Sequence, residues 1–145
     1  MNGDFAVEFQ LRRPTPEEEV GQLLERMDGD EIFAVSFWAM PAGKSLDQFD
    51  LRTWPKEYIQ CAGTAERLTV EIRRLEAGIP RQFVVGRLAR SGSATEKVKW
   101  DSGRHSTTVW PSEILTWREA TALFVGYYQN SPLPTDYQLR EISLG

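Results

Sequence analysis

Short runs in which apolar and polar residues alternate are the feature that most limits how this chain can fold. Clean alternation occurs at residues 5–11 and 68–73 and is typical of strands with one buried face. Residues 32–40 are more uniformly apolar and rich in β-forming residues, which predicts a central strand. Four runs at close spacing, beginning with 68–73, predict an antiparallel meander. The other predicted strands are residues 82–88, 97–100, 106–110 and 137–142.

Two segments carry the signals of a helix start. Thr15 stands before a proline and three glutamates, a pattern that favours an N-cap followed by an acidic first turn. Thr116 stands three residues before Glu119, which is the spacing of a capping box. Residues 41–66 show few periodic signals. The length of 145 residues is that of one ordinary domain, so we expect a single α+β domain over residues 1–145, with a mostly antiparallel sheet and two main helices packed on it.

The chain offers few side chains for nucleophilic catalysis or metal binding. It has one histidine and one cysteine, so a zinc site built from nitrogen and sulfur ligands is excluded. His105 lies in a predicted exposed turn, and Cys61 has no second cysteine or neighbouring histidine, which predicts an incidental buried thiol. A calcium loop and a glycine-rich phosphate loop are both missing. We therefore expect no cofactor, no metal and no enzyme activity, with catalysis by carboxylates alone as a minor alternative.

Negative charge is concentrated at the start of the sequence. Residues 1–31 hold nine acidic residues against three basic ones, whereas the rest of the chain is slightly basic. Such a segment repels phosphate and would suit a basic protein surface, although a merely solvated helix face would have the same composition. Basic residues between 67 and 104 are balanced by acidic ones, so we expect no nucleic-acid partner.

Targeting signals are also missing from the sequence. No stretch approaches the roughly 18 apolar residues of a membrane helix, and the start lacks the features of a signal peptide. A single cysteine argues weakly against an oxidising compartment. These features predict a cytoplasmic protein that does not bind membranes.

The second half of the chain resembles a known family. Residues 67–73 and 82–86 are similar to paired strands in the first family of polymorphic-toxin immunity proteins, which includes inhibitors of a double-stranded-DNA cytosine deaminase. The likeness spans residues 66–142. Where members often carry Gly before the last proline and Trp in the closing strand, this chain has Asn130-Ser131 and Tyr137 or Leu139. The more specific shared residues are Val109-Trp110-Pro111-Ser112-Glu113, Ala120, Phe124, Tyr127-Tyr128, Pro134 and Leu139-Arg140.

The resemblance implies a protein that binds a cognate toxin and blocks its active site. A toxin that acts on nucleic acid presents a basic cleft, which acidic side chains complement. An aromatic anchor, Trp38 or Trp54, would fit such an interface, although core packing is the ordinary role of tryptophan. A non-catalytic structural or scaffolding domain that self-associates through aromatic residues is the alternative function. The candidate partner-binding residues are Asp28, Asp30, Glu31, Asp47, Asp50 and Trp54.

Overall fold

The computed structural model of the protein describes residues 15–39, 56–88 and 94–143. The predicted strand at residues 5–11 lies outside this part of the chain. The helices are α1 (Pro16–Leu24) and α2 (Trp117–Tyr128), with a short 3-10 helix at Pro111–Glu113. The strands are β1 (Ala34–Phe37), β2 (Tyr58–Thr64), β3 (Arg67–Glu76), β4 (Ile79–Arg87), β5 (Glu96–Trp100), β6 (His105–Val109) and β7 (Tyr137–Ile142).

Five of these strands form one antiparallel sheet in the order β1-β2-β3-β4-β7, and β5 and β6 form a separate hairpin. Both helices pack on one face of the large sheet, and the hairpin lies against the other. The predicted α+β arrangement of a mostly antiparallel sheet with two helices is therefore confirmed.

Both helices begin where the capping signals place them. The Thr15 hydroxyl accepts the Glu18 N–H at 3.2 Å. The capping box of α2 is complete, because the Thr116 hydroxyl accepts the Glu119 N–H at 3.5 Å and the Glu119 carboxylate accepts the Thr116 N–H at 3.2 Å. Each cap satisfies amide groups that have no partner inside their own helix.

One strand prediction is wrong and another is tested only in part. Of the apolar run at 32–40, Ala34–Phe37 forms β1, which stands at the end of the strand order among the described residues, so its central position stays a prediction. Strand β2 was not predicted, because it lies within residues 41–66, which show few periodic signals. Only Ile59 and Cys61 alternate there as apolar residues before Gly63. The predicted meander breaks after β4, because β7 pairs with β4 over six residues and leaves β5–β6 to fold over the sheet.

The main core lies between the sheet and the helices, and a smaller apolar cluster lies under the hairpin. Phe124 of α2 is fully buried and meets the Phe37 ring edge-on, with 5.0 Å between ring centroids. Val84 of β4 points to the opposite face and packs on Val98 and Val109 of the hairpin. The other large, fully buried side chains are Leu24, Ile59, Leu68, Leu115, Val20, Val70, Val85 and Cys61.

The thiol of Cys61 is buried in this core, and burial makes its ionisation depend on folding. Burial raises the pKa of the Cys61 thiol from about 9 to about 12, and its Sγ lies 3.5 Å from Met27 Sδ. Between these pH values the unfolded chain releases the thiol proton while the folded chain keeps it, so this contribution to stability is lost as pH rises from about 9 towards about 12. We expect the stability advantage of the wild type over Cys61→Ala, measured by urea unfolding, to shrink from about pH 8 to about pH 10.5. An unchanged advantage would contradict the buried thiol.

Candidate functional site

A buried ion pair connects the 3-10 helix to the closing strand. Glu113 is only 2% exposed, and Arg140 of β7 donates two hydrogen bonds to it, Nε to Oε2 and Nη2 to Oε1, each of 2.8 Å. Glu113 Oε1 also accepts the Trp110 N–H at 3.0 Å. The Arg140 guanidinium carbon lies 4.8 Å from the centroid of the Trp110 ring. A buried carboxylate is tolerated when it is paired and hydrogen-bonded in this way.

Gly86 makes room for that ion pair. A Cβ atom at this position would lie 2.9 Å from Glu113 Cγ and 3.4 Å from the Ser112 carbonyl oxygen, so a side chain here would displace the 3-10 helix. Gly86, Trp110, Glu113 and Arg140 form one unit, here called the Glu113 cluster. The contacts give all four residues a structural role.

A network of hydrogen-bonded polar side chains extends across the sheet on the face away from the helices. Glu71 Oε1 accepts hydrogen bonds from the side-chain amides of Gln60, at 3.3 Å, and Gln82. Ser36 Oγ donates to Gln60 Oε1, and the Tyr58 hydroxyl donates to Gln82 Oε1, each at 3.4 Å. This network of Ser36, Gln60, Tyr58, Glu71 and Gln82, called the polar network below, spans β1 to β4 and fixes the orientation of the Glu71 carboxylate.

A cleft opens beside the polar network, where the hairpin approaches the sheet. Its volume is about 210 Å³. The walls come from β2 and β3 on one side and from the hairpin on the other. We call it the hairpin cleft, and it is lined by Gln60, Ala62, Thr69, Glu71, Trp100, Ser106 and Thr107.

The hairpin is attached to the rest of the protein at both ends of the cleft. Arg67 Nη2 bonds to Glu96 Oε1 at 3.0 Å and to the Lys97 carbonyl at 3.2 Å. At the hairpin turn, the Ser102 N–H donates to the Gly29 carbonyl at 3.0 Å, and the Ser102 hydroxyl donates to Asp30. Two attachments fix the position of the hairpin over the sheet, and with it the width of the cleft.

Three of the predicted partner-binding residues lie in the exposed turn after α1. Asp28 Oδ1 accepts the backbone N–H groups of Asp30 at 2.9 Å and Ile32 at 3.1 Å, which lowers the pKa of the Asp28 carboxyl. Asp30 receives the Ser102 hydroxyl, and Glu31 is exposed beside it. Asp28 therefore shapes the turn, and Asp30 and Glu31 are exposed acidic residues next to it. These three residues are called the acidic turn.

Of the other residues that the sequence singled out, some lie outside the described part of the chain and some lie within it. Asp47, Asp50 and Trp54 lie outside the described residues. Trp38 is half-buried, and its indole Nε1 has no hydrogen-bond partner in the described part of the chain. His105 is 60% exposed, as predicted, with Nε2 3.6 Å from Asp101 Oδ2, although it begins β6 instead of lying in the turn.

Within residues 15–39, 56–88 and 94–143, no group of three or more His, Cys, Asp or Glu side chains is arranged to hold a metal ion. Neither helix of that part is long and apolar enough to cross a bilayer.

Comparison with known proteins adds no relative. Neither a family model, nor a curated protein, nor a solved structure matches this chain.

Sequence reasoning did not find the polar network or the hairpin cleft. The alternation in β3 indicates part of both features, because Thr69 and Glu71, which alternate with Leu68, Val70 and Ile72, must face away from the core. Their neighbours on β2 could not be assigned, because β2 itself was not predicted.

The Glu113 cluster predicts an asymmetric response to substitution. Arg140→Met leaves the deeply buried Glu113 charge unpaired and should cost about 3–5 kcal/mol of unfolding free energy. Glu113→Gln should cost less, because the Arg140 side chain is 32% exposed and can be hydrated. Arg104→Met is the matched control, since Arg104 is 76% exposed. This control should change stability by no more than about 0.5 kcal/mol. Urea unfolding measures all three, and equal losses for Arg140→Met and Arg104→Met would show that the pair is not structural.

Proposed function

We propose that this chain is an immunity protein that binds a cognate bacterial toxin in the cytoplasm and blocks its active site. The observation that carries the proposal is the Glu113 cluster. The separate segments of the family resemblance meet in this one buried unit, so the shared residues have a common structural purpose. A family of inhibitors that keeps a scaffold and varies its contact surface would retain such a unit. The proposal assigns no reaction to the chain itself.

The exposed acidic turn supports a basic protein as the partner. Asp28 holds the turn through two backbone hydrogen bonds, and the contact between Asp30 and Ser102 attaches it to the hairpin. Charges held in fixed positions lose little conformational freedom on binding and steer an oppositely charged surface during encounter. A toxin whose cleft binds nucleic acid has such a surface, whereas a nucleic acid would be repelled.

A scaffolding domain that self-associates remains the second candidate. The end of the β3–β4 hairpin favours it, because Leu75 is 38% exposed and Ile79 is 63% exposed there, on opposite faces of the sheet. Exposed apolar side chains of this kind can contact a second copy.

Co-expression with the product of the neighbouring gene tests the immunity proposal. We expect that product to be toxic alone and harmless when this chain is present, and we expect the two proteins to co-purify as a stoichiometric complex. Size-exclusion chromatography with light scattering on the isolated chain examines the alternative. A non-toxic neighbour, or toxicity that this chain does not relieve, would contradict the immunity function, and a stable homo-oligomer in that case would favour the scaffold.

The acidic turn predicts how fast the complex forms. Asp30→Asn with Glu31→Gln should lower the association rate roughly threefold to tenfold at low salt and weaken its salt dependence. Asp28 is left intact because its carboxylate shapes the turn, and the amide oxygen introduced by Asp30→Asn can still accept the Ser102 hydroxyl. Asp136→Asn, at an exposed site before β7, is the control for loss of negative charge. Surface plasmon resonance at several salt concentrations gives the rates, and unchanged rates in the double variant would place the turn outside the interface.

A further inference from the structure

We infer that the hairpin cleft receives an arginine side chain of the protein partner. This assignment rests on the proposed function and deepens it, because it gives a basic partner a specific contact. Three properties of the cleft support it, namely the Glu71 carboxylate, which is in no ion pair with a described residue, the volume of the cleft and the chemistry of its walls.

Glu71 is a half-buried carboxylate without a cationic partner among the described residues. Its Oε1 accepts two neutral amides, from Gln60 and Gln82, and its Oε2 makes no hydrogen bond to a described residue. Arg73, two residues along β3 on the same face, has a buried Nε without a hydrogen-bond partner in the described part of the chain, and it makes no ion pair with Glu71 there. Carboxylates that are partly removed from water are normally paired with a cation. The site therefore has charge complementarity for a positive group supplied from outside.

The volume of the cleft favours a side chain over a larger ligand as its occupant. Pockets for cofactors and drug-sized molecules occupy roughly 300–1,000 Å³. The hairpin cleft, at about 210 Å³, is smaller than that range, yet it exceeds the roughly 10–15 Å³ of probe-occupied volume that one water molecule needs. The size of the cleft therefore suits a single side chain.

The walls of the cleft favour a guanidinium group over an ammonium group. Trp100 supplies an indole, which attracts cations and stacks well with the planar guanidinium. Its ring lies against the His105 imidazole at 30°, with 6.1 Å between centroids. Thr107, which is on the sheet-facing side of the hairpin with Val98, adds a hydroxyl group that can accept a further N–H donor. Arginine presents about five such donors in a rigid plane, whereas lysine presents a compact, strongly hydrated charge.

The cleft is also built in advance of binding. The polar network holds the Glu71 carboxylate through residues of three other strands, and the Arg67–Glu96 and Ser102–Asp30 contacts hold the opposite wall. A partner that enters a preformed cleft avoids the cost of ordering it.

The test uses N-acetyl-L-argininamide as a probe for the intact protein, followed by two-dimensional ¹H–¹⁵N NMR. We expect saturable shifts in the amides of Glu71, Ser106 and Thr107 and in the Trp100 indole N–H. The uncharged citrulline analogue should cause no such shifts. Glu71→Gln should weaken binding of the probe about tenfold or more, as expected when a charge-assisted hydrogen bond is lost. The glutamine side chain of this variant still accepts both neighbouring amides through its own oxygen, so the polar network and the fold are retained, and urea unfolding checks this.

Asp136→Asn is the matched control, because it removes one exposed negative charge away from the cleft. It should bind the probe as the wild type does. Equal shifts with the citrulline analogue, no saturation, or a Glu71→Gln variant that binds like the wild type would each overturn the assignment of the cleft to arginine.

The same variants separate this inference from the proposed function. If the toxin is neutralised and Glu71→Gln binds it about tenfold more weakly than Asp136→Asn does, both proposals are supported. If Glu71→Gln binds the toxin normally, the inference fails and the immunity function stands. If the neighbouring product is not toxic but the probe binds in the cleft, the immunity function fails, and the cleft remains an arginine site for a different protein.

Discussion

The alternation of side chains along β3 determines which of its residues face the helices and which face the hairpin. Leu68, Val70 and Ile72 point towards the helices and contribute to the main core. The residues between them, Thr69 and Glu71, point the other way and line the hairpin cleft. A shift of one residue in the pairing of β3 would exchange these two sets. It would place a carboxylate under α2 and leave the core without its central side chains, so the packing of the helices and the chemistry of the open face depend on the same register.

The Glu113 cluster and the hairpin cleft use carboxylates in opposite ways. Glu113 is deeply buried, and both of its oxygens are occupied by Arg140, so its charge is neutralised within the protein. Glu71 is only half-buried, and neutral amides hold it without cancelling its charge. The Glu113–Arg140 pair holds the 3-10 helix against β7. The arrangement around Glu71 keeps a negative charge in a fixed position at the surface, which is a property of recognition sites.

The sequence allowed most of the fold to be predicted, because its signals are local. Alternation in β3 and the capping box at Thr116 depend on neighbours within a few residues, and both are found where they were expected. The pairing of β4 with β7 joins residues that are far apart along the chain, and no local pattern indicates it. The hairpin cleft could not be predicted for the same reason, since it forms only when the hairpin folds over β2 and β3. The acidic turn could be predicted as charged, but the structural role of Asp28 follows from backbone geometry that the sequence does not reveal.

Asp30 belongs to two parts of the molecule at once. It carries charge on the acidic turn, and it also accepts the Ser102 hydroxyl that holds the end of the hairpin. A substitution that removes both the charge and the acceptor oxygen would therefore alter the electrostatics of the turn and one attachment of the hairpin together, whereas Asp30→Asn removes only the charge. The other attachment of the hairpin turn, from the Ser102 N–H to the Gly29 carbonyl, joins backbone groups and so does not depend on which side chain stands at position 30.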